Sequence, residues 1–159
     1  MKAIVAVDLN LNIGIGNTLL YRNKEDLKHF KQVTSNKILI MGRKTYESIP
    51  NKLGNRFIII LTRDKDFKPS KGDAYIIVND KEVCLKLIKG YEDDIFVAGG
   101  AEIYSLFEEE INEVILTINF KYTTETKDLI KFPFNILEWR LSNDIINLNS
   151  YSIVTTVKK

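Results

Sequence analysis

Ile40-Met41-Gly42-Arg43-Lys44-Thr45-Tyr46-Glu47-Ser48-Ile49-Pro50 joins a strand end, a glycine turn and a helix in one continuous run. It completes an apolar strand, Lys37–Met41, and Lys44–Ile49 then reads as a short helix. Pro50 stops that helix, because proline donates no backbone hydrogen bond and restricts the residue before it. A strand that turns directly into a helix is half of a parallel crossover unit. Further runs of the same kind lie on either side: Ala3–Val7, Phe57–Thr62, Ala74–Val78, Asp94–Ala98 and Glu113–Asn119. Their centres are nearly continuous Ile, Val and Leu, the pattern of strands covered on both faces. Trp139–Ile145 and Tyr151–Val157 alternate instead, with Tyr151, Ile153 and Val157 on one face, as antiparallel edge strands do. Between the strands, Lys24–Val33 places Leu27, Phe30 and Val33 at helical spacing behind Asn23 as a cap. Lys81–Lys89 and Gly100–Glu109 also read as helices. The expected architecture is α/β: a largely parallel sheet with an antiparallel C-terminal edge, flanked by helices.

Composition narrows the setting. The 159 residues suit one domain spanning 1–159, and 45% hydrophobic with 28% charged residues is the balance of a folded globular chain. A formal net charge of +2 makes no case for a nucleic-acid or membrane-surface partner. One cysteine, Cys84, cannot form an internal disulfide and fits a reducing compartment; its apolar helical neighbours make it a core residue. The apolar run Ala3–Val7 ends at Asp8, too short for a signal peptide or a membrane span, so a cytoplasmic protein is expected. His29 is the only histidine, which argues against histidine-based metal sites and Ser-His-Asp triads and places it on the outer side of its helix. Any chemistry must come from a cofactor.

Gly42, Arg43, Lys44 and Thr45 put a glycine, two cations and a hydroxyl at a helix start, the ingredients of a phosphate site; a basic first turn on a surface helix reads equally well. Ala98-Gly99-Gly100-Ala101-Glu102 repeats the arrangement after another strand, and two such turns suggest a dinucleotide. No G-x-G-x-x-G accompanies them, so the Rossmann fingerprint is not supported. Arg63 could meet a further phosphate or simply be a solvated loop cation, and Ile13-Gly14-Ile15-Gly16-Asn17 reads as a flexible turn. Asp26, in the first turn of the helix bearing Leu27 and Phe30, either caps that helix and answers its dipole or is a partly desolvated carboxylate for an amidine-like ring edge.

Taken in order, these segments closely resemble dihydrofolate reductase over nearly the whole chain. The match runs through Ile4-Val5-Ala6, Ile13-Gly14, Asp26-Leu27-Lys28-His29-Phe30-Lys31, the Ile40–Pro50 segment, Leu53, Arg56, Ile60-Leu61-Thr62, Ala98–Tyr104, Leu116-Thr117, Phe132-Pro133 and Leu137-Glu138-Trp139. The resemblance implies an eight-stranded, mostly parallel sheet flanked by four helices, and reduction of dihydrofolate to tetrahydrofolate by NADPH. By the same resemblance, Asp26 bonds the pterin ring, Thr117 supports it, and Tyr21 holds a water. Ile4, Val5, Leu27, Phe30, Ile49 and Leu53 line the substrate, Ala6 holds the nicotinamide amide through its backbone, and Arg56 grips the glutamate carboxylate. Ile13, Gly14, Gly42, Arg43, Lys44, Thr45, Leu61, Thr62, Arg63, Ala98, Gly99, Gly100, Ala101, Glu102, Ile103 and Tyr104 fall at its cofactor positions, with a cis peptide between the two glycines. Leu9 to Leu20 correspond to a mobile loop over the site, and the family default is a monomer without a metal.

Two departures stand out. Leu19-Leu20-Tyr21 replaces the family's usual Leu-Pro-Trp, which implies slower turnover than a typical member and weaker inhibition by diaminopyrimidine antifolates. Thr124-Glu125-Thr126-Lys127-Asp128-Leu129-Ile130 replaces the usual Gly-Asp-Thr ahead of Phe132-Pro133, so the loop brace found there in some members is not carried over. A pyrimidine reductase of riboflavin synthesis, or a non-catalytic protein that kept the fold, would share the glycine turns. Neither accounts for Asp26 together with Phe30 and Arg56.

Overall fold

The computed structural model describes residues 1–16, 18–20, 23–124, 127–147 and 150–159. In chain order the strands are β1 (Lys2–Val7), β2 (Asn12–Ile15), β3 (Thr18–Leu19), β4 (Ile38–Gly42), β5 (Phe57–Leu61), β6 (Ala74–Val78), β7 (Ile95–Val97), β8 (Glu113–Asn119), β9 (Leu129–Lys131), β10 (Trp139–Asn147) and β11 (Tyr151–Lys158). The helices are α1 (Lys24–Thr34), α2 (Arg43–Ser48), α3 (Lys81–Ile88) and α4 (Ala101–Leu106). Eight strands form one sheet in the order β10-β11-β8-β1-β7-β4-β5-β6. Every neighbouring pair from β8 to β6 is parallel, and β11 runs antiparallel to both β8 and β10. The mostly parallel sheet, its antiparallel C-terminal edge and the four helices are those the sequence predicts.

Both faces of the sheet are covered, and alternation along single strands shows it. In β4, Leu39 and Met41 join a cluster with Tyr46 of α2 and Phe30 and Val33 of α1. Ile40 joins the opposite cluster with Cys84 and Ile88 of α3 and Tyr104 of α4. Leu39, Ile40 and Met41 are all fully buried, each worth roughly 1.5–3 kcal/mol of transfer free energy. This two-sided burial is why the strand centres read as unbroken apolar runs.

Three expectations change. The Gly14 segment is not a free turn: β2 pairs antiparallel with β3 and with β9 in a second, three-stranded sheet. A Cβ at Gly14 would sit 2.7 Å from the Thr18 carbonyl oxygen, so close strand approach requires the glycine. The last helix stops at Leu106 rather than Glu109, because Phe107 and Ile111 turn into the core, both fully buried. His29 does not simply face outward; its Nδ1 is buried without a hydrogen-bond partner, and burial lowers its pKa while the Asp26 charge raises it. Cys84 is a buried core thiol as expected, its pKa pushed up to about 11 by burial.

Among the described residues, no helix is long and apolar enough to cross a membrane.

Candidate active site

The site assembles where β1, β4 and β7 end. β1 is followed directly by Asp8, a fully buried carboxylate. Its Oδ1 accepts from the Asn10 and Asn12 amides at 2.9 and 2.8 Å, and its Oδ2 from Asn12 Nδ2 at 2.9 Å. Burial alone would raise its pKa; these bonds outweigh burial and hold it below the ordinary value. The carboxylate thereby ties the first residues of the Leu9–Leu20 loop to the end of the central strand.

On one face of the sheet, α1 brings up Asp26. The helix is capped by Asn23, whose side chain accepts from the Glu25 amide at 2.9 Å, so Asp26 is free of that duty. Its carboxylate instead accepts from the side chain of Thr117, a buried residue of β8 that lies in register with Ala6 of β1. Burial raises the Asp26 pKa, and the Thr117 bond and the His29 charge pull it partly back. A carboxylate held this way can accept two parallel N–H bonds from a ring edge, and its raised pKa makes it a stronger proton holder than a free carboxylate.

Around it, Ile4 is buried and carries its side chain to the α1 and α2 face. Val5 points to the opposite face, which leaves only its backbone on the Asp26 side. Leu27 is 49% exposed and forms an uncovered apolar wall, whereas Phe30, Ile49 and Leu53 pack against the core beside it. The Arg56 guanidinium lies 5.7 Å from the Phe30 ring centroid and donates to the carbonyls of Leu53 and Gly54, the latter at 3.0 Å, and to Thr34 Oγ1 at 3.2 Å.

The two glycine turns meet at the carboxyl ends of adjacent strands, where open α/β sheets bind ligands. Gly42 N donates to the Gly99 carbonyl at 2.8 Å, and the Gly99–Gly100 peptide is cis. Added Cβ atoms would come within 3.2 Å of Ile103 Cγ1 at Gly42 and within 3.2 Å of Thr45 Oγ1 at Gly100. Neither helix start has a side-chain cap, so their first amides remain available to an anion. Tyr104 crosses beneath and donates its hydroxyl to the Ile4 carbonyl at 2.8 Å, linking this half to β1. Its burial raises the phenol pKa, and the Asp26 charge adds to the rise.

Arg43 donates to Glu47 at 3.2 Å and lies over the Phe67 ring, while Lys44, Arg63 and Glu102 are exposed. Thr62 accepts from the Asp64 amide at 3.1 Å, and the Leu61 side chain is in the core. Ile13, within β2 of the second sheet, is buried; Ala98, Ala101 and Ile103 are half-buried around the glycines. Tyr21, Glu125 and Thr126 lie outside the described residues.

Asp8 and Asp73 are missing from the sequence-derived site although both are buried acids beside it. For Asp8 a signal existed, since Asp ahead of Asn-x-Asn at a strand end is turn chemistry. For Asp73, in a polar loop, none did.

A sequence model of the family described as dihydrofolate reductase matches residues 1–144. The chain is 37% identical over 132 residues to the dihydrofolate reductase of Mycoplasma genitalium, covering 77% of this chain and 81% of that protein. It is 33% identical over 151 residues to the dihydrofolate reductase of Lactococcus lactis, covering 92% and 88%. To the dihydrofolate reductase of Staphylococcus aureus it is 32% identical over 149 residues, covering 91% and 86%.

Proposed function

The chain belongs to the dihydrofolate reductase family, and on that premise we propose which residues reduce 7,8-dihydrofolate to 5,6,7,8-tetrahydrofolate and that NADPH supplies the hydride. The observation that carries the reading is Asp26: a desolvated carboxylate released from capping, bonded by buried Thr117, on the helix that also carries the exposed Leu27. A scaffold protein has no use for such a group, and the matched family is not the pyrimidine reductases.

In this reading Asp26 accepts two N–H bonds from the pterin ring and favours the protonated form that takes hydride, while the proton itself arrives through water. Thr117 keeps the carboxylate turned to the ring. Leu27 and Phe30 exclude water from the reacting face, Ile49 and Leu53 wall the part of the substrate nearer Arg56, and Arg56 binds the glutamate carboxylate. Tyr21 would place the water.

The paired glycine turns fit a dinucleotide, because Gly42 and Gly100 let the turns pack closely against Ile103 and Thr45 and so bring two uncapped helix starts side by side. Gly42, Arg43, Lys44 and Thr45 would hold one phosphate and Gly99 to Ile103 the other. Arg43, Thr62 and Arg63 would recognise a 2′-phosphate; the exposed Arg43–Glu47 pair is worth only about 0.3–0.5 kcal/mol and yields readily to one. Residues 1–159 act as one domain and one monomer, in the cytoplasm, on a small molecule without nucleic-acid or membrane partners.

The test is loss of reduced-nicotinamide absorbance with dihydrofolate, comparing NADPH with NADH and wild type with Asp26→Asn. Turnover with NADPH, strongly reduced by the variant at neutral pH, is expected. Tight NADPH binding without turnover would refute the reading.

A further inference from the structure

We propose that Asp73, in the connection between β5 and β6, is a positioning residue that sets recognition of the substrate's carboxylate tail by fixing the segment from Ile49 to Arg56. The inference rests on the reading above, in which Ile49, Leu53 and Arg56 meet the substrate.

That segment lies between α2 and β5 and belongs to no helix or strand after Ser48. Its backbone groups therefore need partners from elsewhere. The β5–β6 connection supplies partners at Ile49 and at Leu53. Asp73 is 7% exposed; its Oδ1 accepts from the Leu53 amide at 2.8 Å and its Oδ2 from the Tyr46 hydroxyl at 2.9 Å. Lys71 donates to the Tyr46 carbonyl and, at 2.7 Å, to the Ile49 carbonyl, with its ammonium 3.8 Å from the Tyr46 ring centroid. One connection thus pins Ile49 through Lys71 and Leu53 through Asp73.

Arg56 follows Leu53, because its guanidinium hangs from the Leu53 and Gly54 carbonyls. By holding the Leu53 amide, the Asp73 carboxylate sets one side of the guanidinium, while Thr34 Oγ1 and the Phe30 ring of α1 set the other. The charges agree with this layout: burial lowers the pKa of Arg56 and of Lys71, and the Asp73 charge opposes the fall at both. Burial raises the Tyr46 phenol to about 12, helped by its bond to Asp73. A buried carboxylate with two donors and two facing cations is satisfied where it stands, and a guanidinium must be aligned in plane to take a carboxylate with two bonds.

The consequence is selective. Loss of Asp73 should disturb the tail and leave the pterin end, held by α1, β1 and β8, as it is. Initial rates with NADPH should be compared for dihydrofolate and for dihydropteroate, the same ring system without the glutamate, using wild type and Asp73→Asn. The expected result is a tenfold or larger rise in KM for dihydrofolate only, with kcat on both substrates and KM for dihydropteroate within twofold. An equal change for the two substrates, or none, overturns the proposal. If circular dichroism shows Asp73→Asn unfolded, Tyr46→Phe and Lys71→Met each release one arm of the clamp. The same tail-selective rise, threefold or more, is then expected, and a uniform effect overturns it. Wild type that reduces neither substrate refutes the reductase reading and this inference with it; wild type active on both, with uniform loss in the variants, refutes the inference alone.

Discussion

Burial raises the Asp26 pKa, while Thr117 and His29 take back only part of the rise, so the folded protein holds this proton more tightly than the unfolded chain does. Stability linked to Asp26 is therefore lost as pH rises from the unfolded value through the folded one. Asp26→Asn should be more stable than wild type at neutral pH, by on the order of 1 kcal/mol, while turnover at pH 7 drops roughly 10²-fold or more. Urea midpoints and rates on the same samples check both halves, and a variant no more stable than wild type would contradict the first. Asp8 has the opposite sign. Its pKa is held down, so its contribution is present above the unfolded value of about 4 and is lost as pH falls through the lower folded value. Asp8→Ala should cost about 2 kcal/mol at pH 7 by orphaning buried amides, and its urea midpoint should vary less than wild type's on acidification. Asp26 was legible as a candidate beside Leu27 and Phe30, open between a helix cap and a ring-edge carboxylate until the fold showed Asn23 to be the cap. Asp8 was less so, and Asp73 was silent, since Tyr46 and Leu53 reach it only through tertiary folding.

Among the elements, long apolar strands announced themselves, and β1, β4, β5, β6 and β8 fall within a residue of where their patterns place them. β2, β3 and β9 were invisible, being two to four residues long and stabilised by partners as distant as Gly14 and Ile130. The turn after β7 joins the two halves of the site. Gly99 has φ of +102°, and an added Cβ would lie 3.1 Å from the Tyr104 hydroxyl that holds the Ile4 carbonyl. Gly99→Ala should therefore lower stability by about 1–3 kcal/mol and weaken NADPH and folate binding together. Titration of each ligand by fluorescence would show it; loss confined to one ligand would mean that Tyr104 does not couple the halves.

For the whole molecule, a ligand bridging the ends of β4 and β7 should stabilise the native state by mass action. NADPH at a hundred times its Kd adds about 2.7 kcal/mol, and NADH at the same concentration should add clearly less. A thermal-shift titration reads the difference, and equal shifts would deny any role for the 2′-phosphate. The sheet order also bears on how the chain reaches its native state. β1 is made first but lies at the centre, with Lys2 facing Phe96 on one side and Glu113 on the other. At about 5–20 residues per second on a ribosome, its neighbours emerge roughly 5–20 s later. Until then Ala3, Ile4, Val5 and Val7 have no sheet to enter. The high contact order of this topology makes late, slow consolidation the expected course, with the nascent chain most exposed to aggregation and to chaperones until β8 has cleared the exit tunnel.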